Sequence, residues 1–292
     1  MAKTNNHILV TGAHGQLGFE LQYWHGSFPA STFVFTDKDK LDITDKDAVS
    51  SFFEKEQFTH CVNCAAYTAV DRAEEDSELC RLINTTAVEY LVDSCRVYGV
   101  KFIHISTDYV YHSDQNIPFI ETDPTSPKGV YAATKLAGDQ IALSRYDQSI
   151  VIRTSWVYSS HGANFVKTML RLGSERAKLS VIFDQIGSPT YARDLAQAIT
   201  QIIHSDNWKP GLYHYSNEGV CSWFDFAKAI FELSGIQCKV LPIETKDYPT
   251  PASRPPFSLL NKSKIRQSYN LDIPYWRDSL IECLAVIGKP GS

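Results

Sequence analysis

His7-Ile8-Leu9-Val10-Thr11-Gly12-Ala13-His14-Gly15-Gln16-Leu17-Gly18 is the stretch that decides the fold. An apolar, β-rich run breaks at Gly12, and a helical pattern begins at Gln16, so the glycines occupy a strand-to-helix turn. Glycine there permits a tight turn, lets the backbone approach a pyrophosphate and brings helix against strand. The helix start adds unpaired N–H groups and positive dipole, both favourable to phosphate. The spacing is G-x-x-G-x-x-G, not the commoner G-x-G-x-x-G. Gly12, Gly15 and Gly18, with His14, Gln16 and Leu17 between them, are candidate dinucleotide contacts.

Outward from this turn, short β-rich runs alternate with helical patterns, which predicts a parallel sheet with crossover helices. Residues 16–24 read as the first helix, Thr32–Thr36 as the second strand, 45–56 as a helix and 61–64 as a strand. Residues 77–98 read as one long helix from the spacing of Leu79, Leu82, Ile83, Ala87, Leu91 and Val92. A strand at 101–106, a helix at 131–144 and a strand at 150–154 follow, and the Pro- and Thr-containing loop 118–129 is expected at the surface near the site. Beyond Ser159 the regularity changes, with helical patterns at 164–172, 192–204 and 223–233 and strand patterns at 179–183 and 211–215. Prolines exclude regular structure at 248–256. The expected architecture is α/β: a Rossmann-type doubly wound parallel sheet over residues 1–158, with a smaller α/β substrate-binding lobe over 159–292. The helix at about 190–204 is expected to return to cover the sheet.

At the end of the second strand Asp37 is placed to take a ribose hydroxyl, which favours NADH. Lys38 and Lys40 favour a 2′-phosphate instead, so NADPH and NADH both stay open as cofactors. Asp42 and Ile43 follow and are placed to bracket the adenine.

Tyr131 and Lys135 stand four residues apart, so on a helix the phenol and the ammonium share one face. A cation beside a phenol is expected to make the hydroxyl a better proton donor. Ser106-Thr107-Asp108-Tyr109-Val110 ends a strand, and the Thr107 hydroxyl is placed to hold the same substrate oxygen. Together they form equipment for protonating an alkoxide as a hydride arrives at its carbon.

A net charge of −5 and the lack of a basic stripe argue against nucleic acid as a partner. No apolar run approaches the roughly 18–20 residues of a membrane span. The opening Met1-Ala2-Lys3-Thr4-Asn5-Asn6 lacks the apolar segment of a signal peptide, so a cytoplasmic enzyme is expected. The seven cysteines are odd in number and scattered, which fits reduced thiols. Cys61-Val62-Asn63-Cys64 has C-x-x-C spacing but lies in a strand-like run, not at a helix start, and so reads as core.

With these residues in view, the chain resembles the extended short-chain dehydrogenases/reductases over nearly its whole length. The blocks that carry the similarity are Gly15-Gln16-Leu17-Gly18, Asn63-Cys64-Ala65-Ala66-Tyr67-Thr68-Ala69-Val70-Asp71 and Ser106-Thr107-Asp108-Tyr109-Val110-Tyr111. Arg153-Thr154-Ser155-Trp156-Val157-Tyr158, Pro189-Thr190 and Pro249-Thr250-Pro251-Ala252-Ser253-Arg254-Pro255 extend it. The Tyr-x-x-x-Lys pair is generic; the Thr107 block and Trp156 narrow the resemblance to reductases of nucleotide-linked 4-keto sugars. It implies reduction of the C4 ketone of dTDP-6-deoxy-L-lyxo-4-hexulose, with Tyr131 as proton donor, Lys135 on the nicotinamide ribose and Thr107 polarising the keto oxygen. Ala65, Ala66 and Tyr67 would lie along the cofactor. Val70, Asp108, Tyr109 and Trp156 would line the sugar pocket, with Asn164 and Arg254 on the nucleotide diphosphate.

Some members of the family are implied to be dimers joined by Mg²⁺ through acidic residues on the first helix and on the helix near Ala192. Here Glu20 and Asp194 are kept, but Arg193 opposes a cation and is positioned to pair with Glu20. The expectation is no metal and a monomer or weak homodimer. Two other readings share the scaffold. An epimerase or dehydratase is one, although Asp108-Tyr109 after Thr107 lacks the dehydratases' second acid. The other is a non-enzymatic binding role like that of the regulatory subunit of methionine adenosyltransferase, against which the complete Thr107, Tyr131 and Lys135 set weighs.

Overall fold

The computed structural model describes residues 6–288; the opening residues 1–5, read above for a signal segment, lie outside the described residues. The first half runs β1 (His7–Thr11), α1 (Gln16–His25), β2 (Thr32–Thr36), α2 (Lys46–Lys55), β3 (His60–Asn63), α3 (Ser77–Arg81), α4 (Ala87–Tyr98), β4 (Lys101–Thr107), α5 (Val130–Arg145) and β5 (Ser149–Thr154). The second half runs β6 (Val157–Tyr158), α6 (Phe165–Glu175), β7 (Lys178–Ile182), β8 (Ile186–Gly187), β9 (Thr190–Tyr191) and α7 (Ala192–Ile203). It continues through β10 (Gly211–Tyr215), β11 (Cys221–Ser222), α8 (Trp223–Ser234), β12 (Lys239–Ile243), α9 (Ser263–Tyr269) and α10 (Trp276–Ile287).

Six strands form one parallel sheet in the order β10-β5-β4-β3-β1-β2. The chain leaves β1 toward β2 and then crosses to β3 on the other side. That reversal opens a crevice at the carboxyl ends of β1 and β3, where doubly wound sheets bind ligands. Both faces are covered, which is why the strands read as apolar runs without alternation. Ile8, Val10, Ile103 and Ile152 pack with Leu195 and Ile199 of α7; Leu9, Phe102 and Val151 pack with Phe53 of α2 and Leu91 of α4.

The helical pattern at 77–98 is real but interrupted: Leu82–Thr86 form a π turn between α3 and α4. Buried Asn84 explains it, because its side chain accepts from the Tyr67 N–H at 2.9 Å and donates to the Tyr67 carbonyl at 3.1 Å. A π turn of this kind re-aims a side chain at the cost of one regular helical step.

A separate core holds the second half together, with Val166, Leu179, Phe226, Ile230 and Leu280 from α6, β7, α8 and α10. β7 pairs with β12 in parallel. Two elements within the stretch expected as a lobe, 159–292, lie on the sheet. α7 packs on α1, and β10 adds to the sheet edge beside β5, with Tyr213 and Tyr215 in the same core as α7. A strand pattern states that one face or both are apolar; it does not state which sheet the strand joins.

Candidate active site

The glycine turn has the geometry a close-approaching phosphate needs. Gly12 has φ +68, and a Cβ there would lie 2.6 Å from the Ala65 nitrogen. At Gly18 a Cβ would lie 2.3 Å from the Gly12 carbonyl oxygen, so this glycine lets α1 seat on β1. Gly15 caps α1 without a side-chain partner, leaving the first N–H groups of the helix free for an anion. On one side is a cavity of about 400 Å³ lined by Gly12, Asp37, Lys38, Asp42, Ile43 and Ala65, among others. Asp37 accepts from the His14 N–H at 3.0 Å and from the Lys38 N–H at 2.9 Å. Lys38 lies 3.8 Å from Asp42, whose carboxyl is held below its usual range mainly by the Thr44 hydroxyl. Lys40 turns to the Phe35 carbonyl instead.

The next cavity, about 510 Å³, gathers His14, Gln16, Leu17, Ala66 and Val70 with Thr107, Asp108, Tyr109, Tyr131, Lys135 and Trp156. Gly15, Cys64 and Ala66 line both cavities, so the two adjoin. β4 delivers Thr107 at its carboxyl end, and α5 sets Tyr131 and Lys135 on the face turned to it. The Thr107 hydroxyl contacts the Tyr131 phenol and lies 3.2 Å from Asp108 Oδ1. Tyr109 meets the Tyr131 ring edge-on at 5.7 Å.

The expected effect of the lysine on the phenol is not what the geometry gives. Lys135 donates to the Ile105 carbonyl at 2.6 Å and lies 3.3 Å from His104 Nε2, so its charge is turned toward β4. Removal from water pushes the Tyr131 phenol up, the Thr107 hydroxyl opposing. Burial lowers Lys135 to about 8, with Asp139 opposing. Loss of solvent around the phenolate outweighs a cation aimed elsewhere, and Tyr131 stays a neutral, proton-bearing phenol. Burial likewise raises Asp108 to about 7.

Beyond Tyr109 and Trp223, which line both, lies a third cavity of about 850 Å³ against α6, β7 and β12. Arg254 lines it and is clamped to Asp71 by two bonds, 2.8 Å to Oδ1 and 2.7 Å to Oδ2. Trp156 holds the left-handed backbone at φ 48 and stacks on Trp223 at 3.7 Å, one wall of the groove. An aromatic residue in that region signals local strain, and such strain gathers at functional sites.

Three expected residues do not line these cavities. Gly18 lies beneath the turn. Tyr67 donates its hydroxyl to Asp76 at 2.9 Å. Asn164 caps α6 and donates to Gln16 Oε1 at 3.0 Å, supporting the glycine turn from behind. Trp223 and His104 escaped the sequence reading, and Asn63, though it opens a block of the resemblance, was given no role. Their signals were an aromatic at a helix start and lone polar residues within apolar strands. The C-x-x-C cysteines are free thiols: Cys61 is fully buried in the core, whereas Cys64, read as core, is half-buried and lines both cavities. Among the described residues no group of three or more His, Cys, Asp or Glu is arranged to hold a metal, and no helix is long and apolar enough to cross a membrane.

A doubly wound parallel sheet, a glycine turn at its switch point and a Thr, Tyr, Lys set in the crevice together define a short-chain dehydrogenase/reductase. Within that class the chain belongs to the family described as RmlD substrate binding domain, whose model matches residues 6–288. It is 39% identical to the spore coat polysaccharide biosynthesis protein SpsK of Bacillus subtilis, covering 95% of this chain and 96% of that one. It is also 39% identical to the dTDP-4-dehydrorhamnose reductase of Escherichia coli K12, covering 92% and 94%. The dTDP-4-dehydrorhamnose reductase of Bacillus anthracis, solved in complex with NADP, superposes with a TM-score of 0.93 at 37% identity, covering 97% of this chain and 100% of that one.

Proposed function

We propose that this protein reduces the C4 ketone of dTDP-6-deoxy-L-lyxo-4-hexulose (dTDP-4-dehydrorhamnose) to dTDP-L-rhamnose with NADPH or NADH, in the cytoplasm. One observation carries the reading. The three cavities adjoin in a row through shared lining residues, with the glycine turn and Asp37 at one end, Arg254 at the other, and Thr107, Tyr131 and Lys135 between them. The glycine turn, whose close backbone packing at Gly12 and Gly18 admits no Cβ, and the uncapped start of α1 fit a dinucleotide. A reduced nicotinamide bound there supplies the hydride.

The chain's own residues do the rest. Thr107 holds the keto oxygen by its hydroxyl, and Tyr131 gives its proton to the oxygen as the C4 centre is reduced. Proton donation of this kind is typically worth about 10² to 10⁴ in rate. Lys135 holds the cofactor ribose by the hydrogen it has left for the cavity. Val70, Tyr109, Trp156 and Trp223 wall the sugar, and Arg254 exchanges Asp71 for the diphosphate, matching it by paired donors. Asp108-Tyr109 supplies no second acid for dehydration. The test mixes purified protein with the 4-keto nucleotide sugar and each coenzyme, following nicotinamide absorbance and the sugar product. Coenzyme oxidation yielding the rhamnose nucleotide is expected; a sugar converted without net coenzyme consumption would make the protein an epimerase or dehydratase.

A further inference from the structure

We propose that His104 is a positioning residue for this reduction: neutral and protonated on Nδ1, it holds the Lys135 ammonium through Nε2 and is itself held by Asn63 and Thr11. The inference rests on the reductase reading only for the role of Lys135; the network stands by itself. Thr11, Asn63 and His104 occupy paired register positions on β1, β3 and β4, so their side chains form a row across the sheet ending at Lys135 of α5. All four are buried, none more than 2% exposed.

The direction of each bond follows from donor counting. An ammonium has three hydrogens and no lone pair, so a ring nitrogen beside it must accept. Lys135 Nζ lies 3.3 Å from His104 Nε2, and a second hydrogen goes to the Ile105 carbonyl. Nε2 therefore carries no proton, and the imidazole's single hydrogen is on Nδ1. Burial and the neighbouring ammonium both keep a second proton off the ring. The structure sets Asn63 Nδ2 3.1 Å from His104 Nδ1 and Asn63 Oδ1 2.7 Å from Thr11 Oγ1. A proton on Nδ1 needs an acceptor there, so this tautomer requires the opposite amide orientation, oxygen toward His104 and nitrogen toward Thr11. Amide orientation is fixed by such a network, not seen directly. With two hydrogens of Lys135 taken, one is left for the cavity it lines.

The charged and titratable groups around this row are few. Asp139, one turn beyond Lys135 on α5, lies 3.9 Å from His104 Nε2 and is itself paired with Arg153 of β5 at 3.0 Å. Cys80 of α3, Cys64 after β3 and Tyr131 complete the surroundings. A histidine that merely filled the core would leave Lys135 indifferent to its replacement by a residue of similar shape.

The experiment measures NADPH binding by cofactor fluorescence from neutral to alkaline pH in the full chain carrying His104→Leu, His104→Gln or His104→Asn, with turnover and melting temperature alongside. Gln places an amide oxygen near the Nε2 position; Asn reaches only the Nδ1 position. In the wild type, binding is expected to weaken as pH rises through about 8, where Lys135 loses its charge. His104→Leu is expected to weaken neutral-pH binding about tenfold, the worth of one hydrogen bond to a charged group. The alkaline limb should also move down by about one pH unit. His104→Gln should restore both and His104→Asn neither. An unmoved limb in His104→Leu, or Gln no better than Asn, overturns the proposal. Should the Leu variant fail to fold, the Gln–Asn contrast decides alone. A wild type that binds NADPH but reduces no keto sugar would instead sink the reductase reading, leaving only the hold of His104 on Lys135 standing.

Discussion

At the residue scale, Tyr131 and Lys135 were legible because a helical turn of spacing is a chemical statement in itself, and Thr107 because a hydroxyl ends a strand at the right distance in sequence. Tyr131→Phe is expected to cut turnover at least about a hundredfold while NADPH affinity stays near wild type; steady-state kinetics beside cofactor titration checks this, and near-normal turnover would remove the phenol from the reaction. The pH dependence follows from Lys135. Burial lowers it to about 8, so it is charged below that pH and neutral above, and both turnover and cofactor affinity should decline on the alkaline side. A profile flat through that range would contradict the role given to the ammonium. His104 and Asn63 were not legible. A lone polar residue in an apolar strand shows nothing of its partner, and only the register of three parallel strands brings this row together. Trp223 was hidden for the same reason, since its partner Trp156 sits on a distant stretch of chain.

At the element scale, β1, β2 and the glycine turn were readable because composition, φ requirement and helix start all agree there. The helix at 77–98 was read as unbroken because its apolar spacing continues through the π turn; the cause, Asn84 reaching Tyr67, is a contact across elements. β12, α9 and α10 went unread, since α10 is held by Trp276 and Leu280 packing into a core the local pattern does not name. Gly12→Ala tests the turn. At φ +68 and with a Cβ 2.6 Å from the Ala65 nitrogen, alanine must push β1 and β3 apart. Loss of NADPH binding with a lowered melting temperature is expected, and a variant binding normally would mean the turn can shift without consequence. For coenzyme choice, Asp37 favours the free ribose hydroxyl, while exposed Lys38 offsets its repulsion of a 2′-phosphate. Exposed contacts are each worth about 1 kcal/mol or less. NADH and NADPH are therefore expected to support turnover within about one order of magnitude of each other, and a thousandfold ratio of kcat/KM would refute that balance.

At the scale of the whole molecule, α1, α7 and the segment after β6 are knotted together at Glu20. This carboxylate is fully buried, accepts from the Ser159 hydroxyl at 2.6 Å and from Arg193 Nε at 2.7 Å, and the guanidinium lies over the Tyr23 ring at 4.0 Å. The neighbouring Asp194 is engaged elsewhere, by Ser279 at 2.5 Å and Asn217 at 2.6 Å. A hard cation needs clustered, free oxygen ligands, and here one carboxylate is neutralised by arginine and the other is turned into the core. We therefore propose that assembly and activity are independent of divalent metal, with Arg193 doing for Glu20 what a cation would otherwise do. Arg193→Ala should cost about 3–5 kcal/mol, because it strands a buried carboxylate. Glu20→Gln combined with Arg193→Met should recover much of that loss in denaturant unfolding. Light scattering and turnover of the wild type in EDTA should match those without it, whether the chain is a monomer or a weak dimer. A dimer that dissociates only with chelator would show that acidic groups on this face gather a metal despite Arg193.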